Sequence, residues 1–179
     1  DYAVTGVQTC ALPICGTFIT SETSNSMRMS FDRMIKGDQR EGTVQLVEVR
    51  EILEPEIAAL AATRADKESI NQLRDSVEIM EGATHDPEEF IEADLDFHLA
   101  LAEAAANPLI LTLIDSIVGL LREQRMNIFK VDGGPERGQY HHKRILEAIE
   151  NHDPAGAREA MQSHLRQVRQ DSGSAAVAK

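Results

Sequence analysis

Four side chains in this 179-residue chain have the types and spacing for metal chemistry. Asp94 and His98 are four residues apart, so on a helix they are neighbours on one face. Phe90, Phe97, Leu101 and Ala105 fall on that same face. His142 aligns with Ile145, Leu146 and Ile149, and His164 with Ala157, Met161, Leu165 and Val168, again at helical spacing. One carboxylate and three imidazoles are thereby directed toward an apolar interior from three helices. Each is costly to bury without a partner. A divalent cation satisfies all four. Neutral imidazole and ionised carboxylate suit zinc, nickel and similar first-row ions, and the lack of thiolate argues against a soft-metal site. Four protein ligands leave positions for water or a bound anion in an octahedral site. Two blander readings stay open at this point: satisfied core histidines, and an Asp94–His98 pair joined only by a hydrogen bond. Of the remaining histidines, His85 and His152 fall in loops with no task beyond solvation. His141 is rotated about 100° from His142 and faces outward.

Helices must position these groups, and the chain is punctuated for helices. Residues 26–35 form a short one ending at Gly37. Residues 46–65 carry Leu46, Val49, Ile52, Leu53, Ile57, Leu60 and Ala61 at helical spacing, with Pro55 expected to break or kink the run. Asp66 caps the next helix, whose stripe is Ile70, Leu73, Val77 and Met80. Asp86-Pro87, Asn107-Pro108 and Asp153-Pro154 each put a capping side chain before a proline at the first helical position. Asp86 with Glu89 also has the spacing of a capping box. Gly133-Gly134-Pro135 separates a long helix after Pro108 from the one bearing His142. The fold class is all-α, an antiparallel bundle of about six main helices with short loops.

Composition agrees. Aromatic residues make up 4% with no Trp, which favours helix over strand, and 42% hydrophobic residues suffice for a core. A formal net charge of -12 argues against this chain gripping nucleic acid or an anionic membrane by itself. The longest apolar stretch, 108–121, is interrupted by Asp115 and too short to span a bilayer. Nothing reads as a signal peptide, so the expected compartment is the cytoplasm.

Residues 1–15 stand apart. Val4 to Ile14 reads VTGVQTCALPI, similar residue for residue to the translation of a common sequencing adapter. The expectation is a non-native segment with Cys15 at its junction, which removes Cys10 and Cys15 from consideration as a redox or zinc pair. Residues 16–26 follow as a remnant of a wing and linker, 27–172 as the helical domain, and 173–179 as a disordered tail.

The motifs resemble a known family. Asp94-Leu95-Asp96-Phe97-His98, Asn107-Pro108, the run from His142 to Ile149, and Asp153, Ala157, Met161 and His164-Leu165 look like the FCD domain, the effector-binding domain of FadR-type GntR transcription regulators. Val49-Arg50 through Leu53-Glu54-Pro55-Glu56 and Leu60-Ala61-Ala62 resemble its first helix, and Gly16-Thr17-Phe18-Ile19-Thr20 the last strand of a GntR wing. The resemblance covers about residues 44–170. It implies a metal on Asp94, His98, His142 and His164, with Asp96 at a non-ligand position. It also implies a small carboxylate or sugar-acid effector beside the metal, a homodimer, and DNA contact only through a winged helix-turn-helix of which this chain holds a remnant. Arg50 resembles a cavity-lining arginine of the family, and Arg122 and Arg125 are further effector-binding candidates. The blander alternative pairs Arg50 with Glu54 on the surface and leaves Arg122 solvated.

Two other classes compete. A helical metal-dependent hydrolase or isomerase would need a general base at the open site, for which Asp96 and Glu103 are the nearest candidates. A metal-free dimerisation module would need neither metal nor effector.

Overall fold

The computed structural model describes residues 22–36 and 39–177. The adapter-like segment, the wing remnant and Gly37 lie outside the described residues. Eight α-helices and one 3₁₀ turn follow in order: α1 (Glu22–Ile35), α2 (Gln39–Arg64), α3 (Lys67–Gly82), α4 (Pro87–Ala104), α5 (Pro108–Val118), the 3₁₀ turn (Gly119–Leu121), α6 (Arg122–Phe129), α7 (Gly134–Glu150) and α8 (Pro154–Val177). Among the described residues there is no strand. Among the described residues, no helix is long and apolar enough to cross a membrane.

The expected caps are in place. Asp66 Oδ1 accepts from the Ser69 amide at 2.9 Å, and Asn107 Oδ1 from Leu109 at 3.1 Å. Asp153 Oδ1 takes the Gly156 amide at 2.9 Å. Asp86 Oδ1 accepts from both Glu88 and Glu89. The capping box is not reciprocal, however, because the Asp86 amide donates to Ala83 O instead. Two short turns hold non-glycine residues in the left-handed region: Ala106 ahead of α5 and His152 ahead of α8, each at φ 50°.

Several boundaries differ from the sequence reading. Helix α2 runs through Pro55 without interruption. The missing amide and the ring clash of a mid-helix proline are outweighed by packing, since Pro55 is buried and α2 lies along both α8 and α4. The long helix expected after Pro108 is divided by the 3₁₀ turn at Gly119–Leu121 into α5 and α6. Helix α8 continues to Val177, past the expected boundary at 172, and α1 begins inside the expected linker.

Two apolar clusters share α4. Ala61, Leu73, Met80, Phe97, Ile145 and Met161 belong to the larger, built from α2, α3, α4, α7 and α8. Leu46, Ile91, Leu95, Ile114, Ile117 and Leu121 belong to the second, which joins α2, α4, α5 and the 3₁₀ turn, with Phe31 and Ile35 of α1 against it. Helix α4 is therefore enclosed on nearly all sides, as its mostly apolar sequence from Phe90 to Ala104 requires.

Candidate metal centre

Helices α4, α7 and α8 meet where their apolar faces carry polar residues. Asp94, His98, His142 and His164 are at most 7% exposed. Each offers one ligand atom, and those four atoms lie within 4.8 Å of one another. The three imidazole rings crowd together, with centroids 4.5 Å apart for His142 and His164 and 5.5 Å for His98 and His164. Phe97 backs the cluster, its ring 4.8 Å from that of His142. Spacing explains the convergence. Residues four apart on α4 bring Asp94 and His98 together, and His142 and His164 sit mid-stripe on their own helices.

The electrostatics suit a cation. Burial holds the His98 and His164 imidazoles below their ordinary range, His164 well below, so both are neutral ligands at neutral pH. Burial alone would push the Asp94 carboxyl up, but Arg125 and the neighbouring histidines outweigh it and hold the group well below the usual carboxylate range. His142 Nε2 lies 3.2 Å from Asp94 Oδ1, but neither ring nitrogen of His142, nor either of His164, forms a hydrogen bond. Buried polar atoms are ordinarily paired. Four unpaired imidazole nitrogens beside an ionised carboxylate fit a divalent metal, which would take one lone pair from each ring.

Two residues of α2 complete the shell. His98 Nδ1 is 2.9 Å from Glu54 Oε2. A carboxylate at this end can only accept, so Nδ1 carries the hydrogen and Nε2 keeps its lone pair, which accepts from Arg50 Nη2 in this structure and is the one a metal would take in its place. Carboxylate, imidazole and cation in sequence is a recurrent way of fixing a metal-binding histidine. Arg50 in turn holds Glu54, donating from Nε at 2.5 Å and from Nη2 at 3.2 Å, and its Nη2 also lies 3.1 Å from His98 Nε2. Burial would raise the Glu54 carboxyl; Arg50 and His98 outweigh it and keep the group ionised. Sequence reasoning treated Glu54 only as the surface partner of Arg50. In the structure both are buried, at 1% and 3% exposure, whereas Val49 and Ile52 of the expected apolar stripe are exposed.

The other candidates separate. Arg125 is buried; its Nε contacts Asp94 Oδ2, its Nη1 donates to Val118 O at 2.8 Å, and its Nη2 has no hydrogen-bond partner. Arg122 is partly exposed and pairs with Glu88 and Glu92 on the surface. It does not line the cavity, because both of its Nη atoms are tied to those surface carboxylates. Asp115 binds Arg28 of α1 at 3.1 Å. Asp96 and Glu103 are exposed and do not face the cluster. His141 is half-buried beside the cluster, its ring 6.1 Å from that of His164, rather than facing outward. His152 Nδ1 is 3.1 Å from Ala62 O, a tie between the α7–α8 turn and α2 that the sequence reading did not anticipate.

The cluster opens on a cavity of about 40 Å³. Its charged end is formed by Arg50, Asp94, Arg125, His142 and His164, and its other walls by Phe90, Ile91, Ile128, Phe129, Pro135 and Val168.

Residues 45–167 match the sequence profile of the FCD domain. The chain belongs to the FCD domain family. Among curated relatives of this FCD chain, the HTH-type transcriptional regulator LutR of Bacillus subtilis is 33% identical over 135 residues, which cover 73% of the chain and 62% of LutR. The HTH-type transcriptional repressor NanR of Escherichia coli K12 is 30% identical over 129 residues, covering 71% of the chain and 49% of NanR. A solved structure of Streptococcus agalactiae GntR superposes with a TM-score of 0.66 at 30% identity, covering 74% of the FCD chain and 60% of that protein. The FCD chain thus spans about half to three-fifths of the length of these relatives. They are regulators, and they lend no support to the hydrolase or isomerase reading.

Proposed function

We propose that this chain is the ligand-sensing part of a metabolite-responsive, FadR-type GntR transcription regulator. It binds a divalent metal, zinc or nickel, through Asp94, His98, His142 and His164. A small organic acid binds beside it, held by Arg50 and Arg125. The observation that carries this reading is the convergence of three buried imidazoles and one ionised carboxylate on one point, with the nitrogens of His142 and His164 unpaired. The metal would supply Lewis acidity toward an anionic ligand. The chain's own part is to present lone pairs: Glu54 fixes the His98 tautomer, burial keeps His98 and His164 neutral, and Arg125 holds Asp94 ionised.

A second observation points to an anion. Arg125 Nη2 is buried, unpaired and at the cavity wall. Guanidinium N–H groups recognise carboxylates, and an unpaired, buried one at a cavity wall is a donor awaiting an acceptor. An acid that favours one arrangement of α4, α7 and α8 over another shifts the populations of the two, and linkage carries the shift to a DNA-binding winged helix of the parent protein and across a homodimer. DNA contact belongs to that winged helix, consistent with the net charge of -12 in this chain.

The test is calorimetric titration of small carboxylates and sugar acids into the metal-loaded and the chelated chain, with elemental analysis of each. Binding confined to the metal-loaded form, at one metal per chain, is the expected result. Equal binding in both forms removes the metal from effector recognition.

A further inference from the structure

The three glycine and proline positions that face the cavity from α7 are Gly134, Pro135 and Gly138. The two glycines are there for different reasons. A Cβ on Gly134 would come within 2.4 Å of Ile128 O, so the close approach of α6 forbids any side chain. Gly138 is also buried, but a Cβ there would meet nothing within 4 Å. A glycine inside a helix is less favourable than alanine, and protein interiors are close-packed. Gly138 is therefore an unfilled position in a buried wall, one helical turn before the ligand His142. The unfilled space belongs to the same cavity that holds the unpaired nitrogens of His142 and His164 and the unpaired Arg125 Nη2.

What fills that space is set by its surroundings. Away from the charged end the walls are Phe90, Ile128, Phe129, Pro135 and Val168. Outside the charged end and its two histidines, Gln167 lines the cavity and offers one unpaired acceptor, Oε1, its amide nitrogen donating to Asp171. A chain carrying several hydroxyls would leave most of them against hydrocarbon without partners. A short alkyl chain would not.

We propose that Gly138 is the residue that sets effector specificity, by leaving room for the short apolar tail of a monocarboxylate whose head group sits between Arg125 and the metal centre. This rests on the acid-sensing reading above and narrows it from organic acids in general to short alkyl carboxylates over polyhydroxylated ones. A Cβ on Gly138 would meet no ligand side chain and no outer partner within 4 Å, so a side chain can be added there with the metal site intact.

The experiment uses the zinc-loaded 179-residue chain and three probes: acetate, butyrate and 2,3,4-trihydroxybutyrate. Two added methylenes buried in the apolar part should tighten binding about tenfold from acetate to butyrate. The trihydroxylated acid should bind no better than acetate. Gly138→Leu should abolish the preference for butyrate over acetate while zinc stoichiometry stays at one per chain. Gly138→Ala, which favours the helix and is the safer variant for folding, should reduce that preference in part. If Gly138→Leu keeps the butyrate preference within twofold, or if the wild-type chain takes the trihydroxylated acid as tightly as butyrate, the inference is overturned. If no carboxylate binds the zinc-loaded wild type, the acid-sensing reading falls and this inference falls with it. Acid binding of any rank order with an indifferent Gly138→Leu variant sinks this inference alone.

Discussion

At the residue scale, the four proposed ligands and their outer partners should do separable work. His164 has no hydrogen bond from either nitrogen, so its replacement should leave the metal-free chain folded while emptying one ligand position. His164→Ala is expected to weaken metal binding by more than the roughly 100-fold that loss of an outer partner can cost, measured by competition against a chromogenic chelator. Glu54→Gln tests the outer shell. The amide can still face His98 but no longer demands the Nδ1 hydrogen, so metal affinity should fall about 10- to 100-fold. That substitution also leaves the buried Arg50 without its counter-charge, and breaking a buried pair costs roughly 3–5 kcal/mol. Chelator competition and urea melts on the same variant separate the two effects. A Glu54→Gln chain with wild-type metal affinity would deny Glu54 any orienting role. Acid should act on the metal-free chain as well. His98 and His164 are held below 6.5 in the folded state, so below about that pH the unfolded chain binds more protons than the folded one. Stability then rises with pH across that window and is lost on acidification toward the depressed folded values. Melting temperatures of the chelated chain from pH 7.5 to 5 check the sign; His98→Gln combined with His164→Gln should flatten the slope.

At the scale of elements, the sequence was legible where a stripe is purely apolar and opaque where charge is buried. The stripes of α3, α7 and α8 are read directly: Leu73, Val77, Met80, Ile145, Leu146, Ile149, Met161 and Leu165 are all buried. Two of the helices that supply ligands, α4 and α8, also begin at capping residues visible in the sequence. On α2 the apolar pattern misleads. The buried line runs through Leu46, Val47, Arg50, Glu54, Ile57, Ala58 and Ala61, with an ion pair where a hydrophobe would be expected. No periodicity argument places Arg50 and Glu54 inside, because their burial depends on the partner that α4 supplies. The division of the 108–129 stretch was equally hidden. A single Gly119 inside an apolar run gives weak punctuation, and beyond the 3₁₀ turn there Arg122 lies at the surface and Arg125 inside. The tight link between α4 and α5 makes a prediction of its own. Ala106 sits at φ 50°, where a Cβ is disfavoured by about 1–2 kcal/mol. Ala106→Gly should relieve that strain, less the extra entropy that glycine gives the unfolded chain, for a net gain of several tenths of a kcal/mol in urea denaturation. A loss of stability would mean that the Ala106 methyl makes contacts outweighing the backbone strain.

At the scale of the whole molecule, the proposed metal site lies where the larger apolar cluster brings α4, α7 and α8 together, and Glu54 extends it to α2. Surface ion pairs such as Arg158–Glu56 also join α8 to α2, but exposed pairs of this kind contribute little. A bound cation is different, because it binds the folded arrangement and not the dispersed ligands of the unfolded chain. At a free concentration about 1,000 times its dissociation constant it should add about 4 kcal/mol, and for a domain of this size that is on the order of 10 °C in melting temperature. The gain should be unevenly distributed. Helices α1 and α5 pack on the second cluster, away from the ligands, so their amides should gain less protection than those of α4, α7 and α8. Hydrogen exchange with and without zinc measures this directly. Protection spread uniformly over α1, α5 and the ligand-bearing helices would show that the two clusters unfold as one unit, and an acid sensed at the metal would then act on the domain as a single body rather than through the relative placement of three helices. Protection confined to α4, α7, α8 and the Glu54 turn of α2 would place the mobile boundary along α4, the helix common to both clusters, and that boundary is where an effector signal would have to cross.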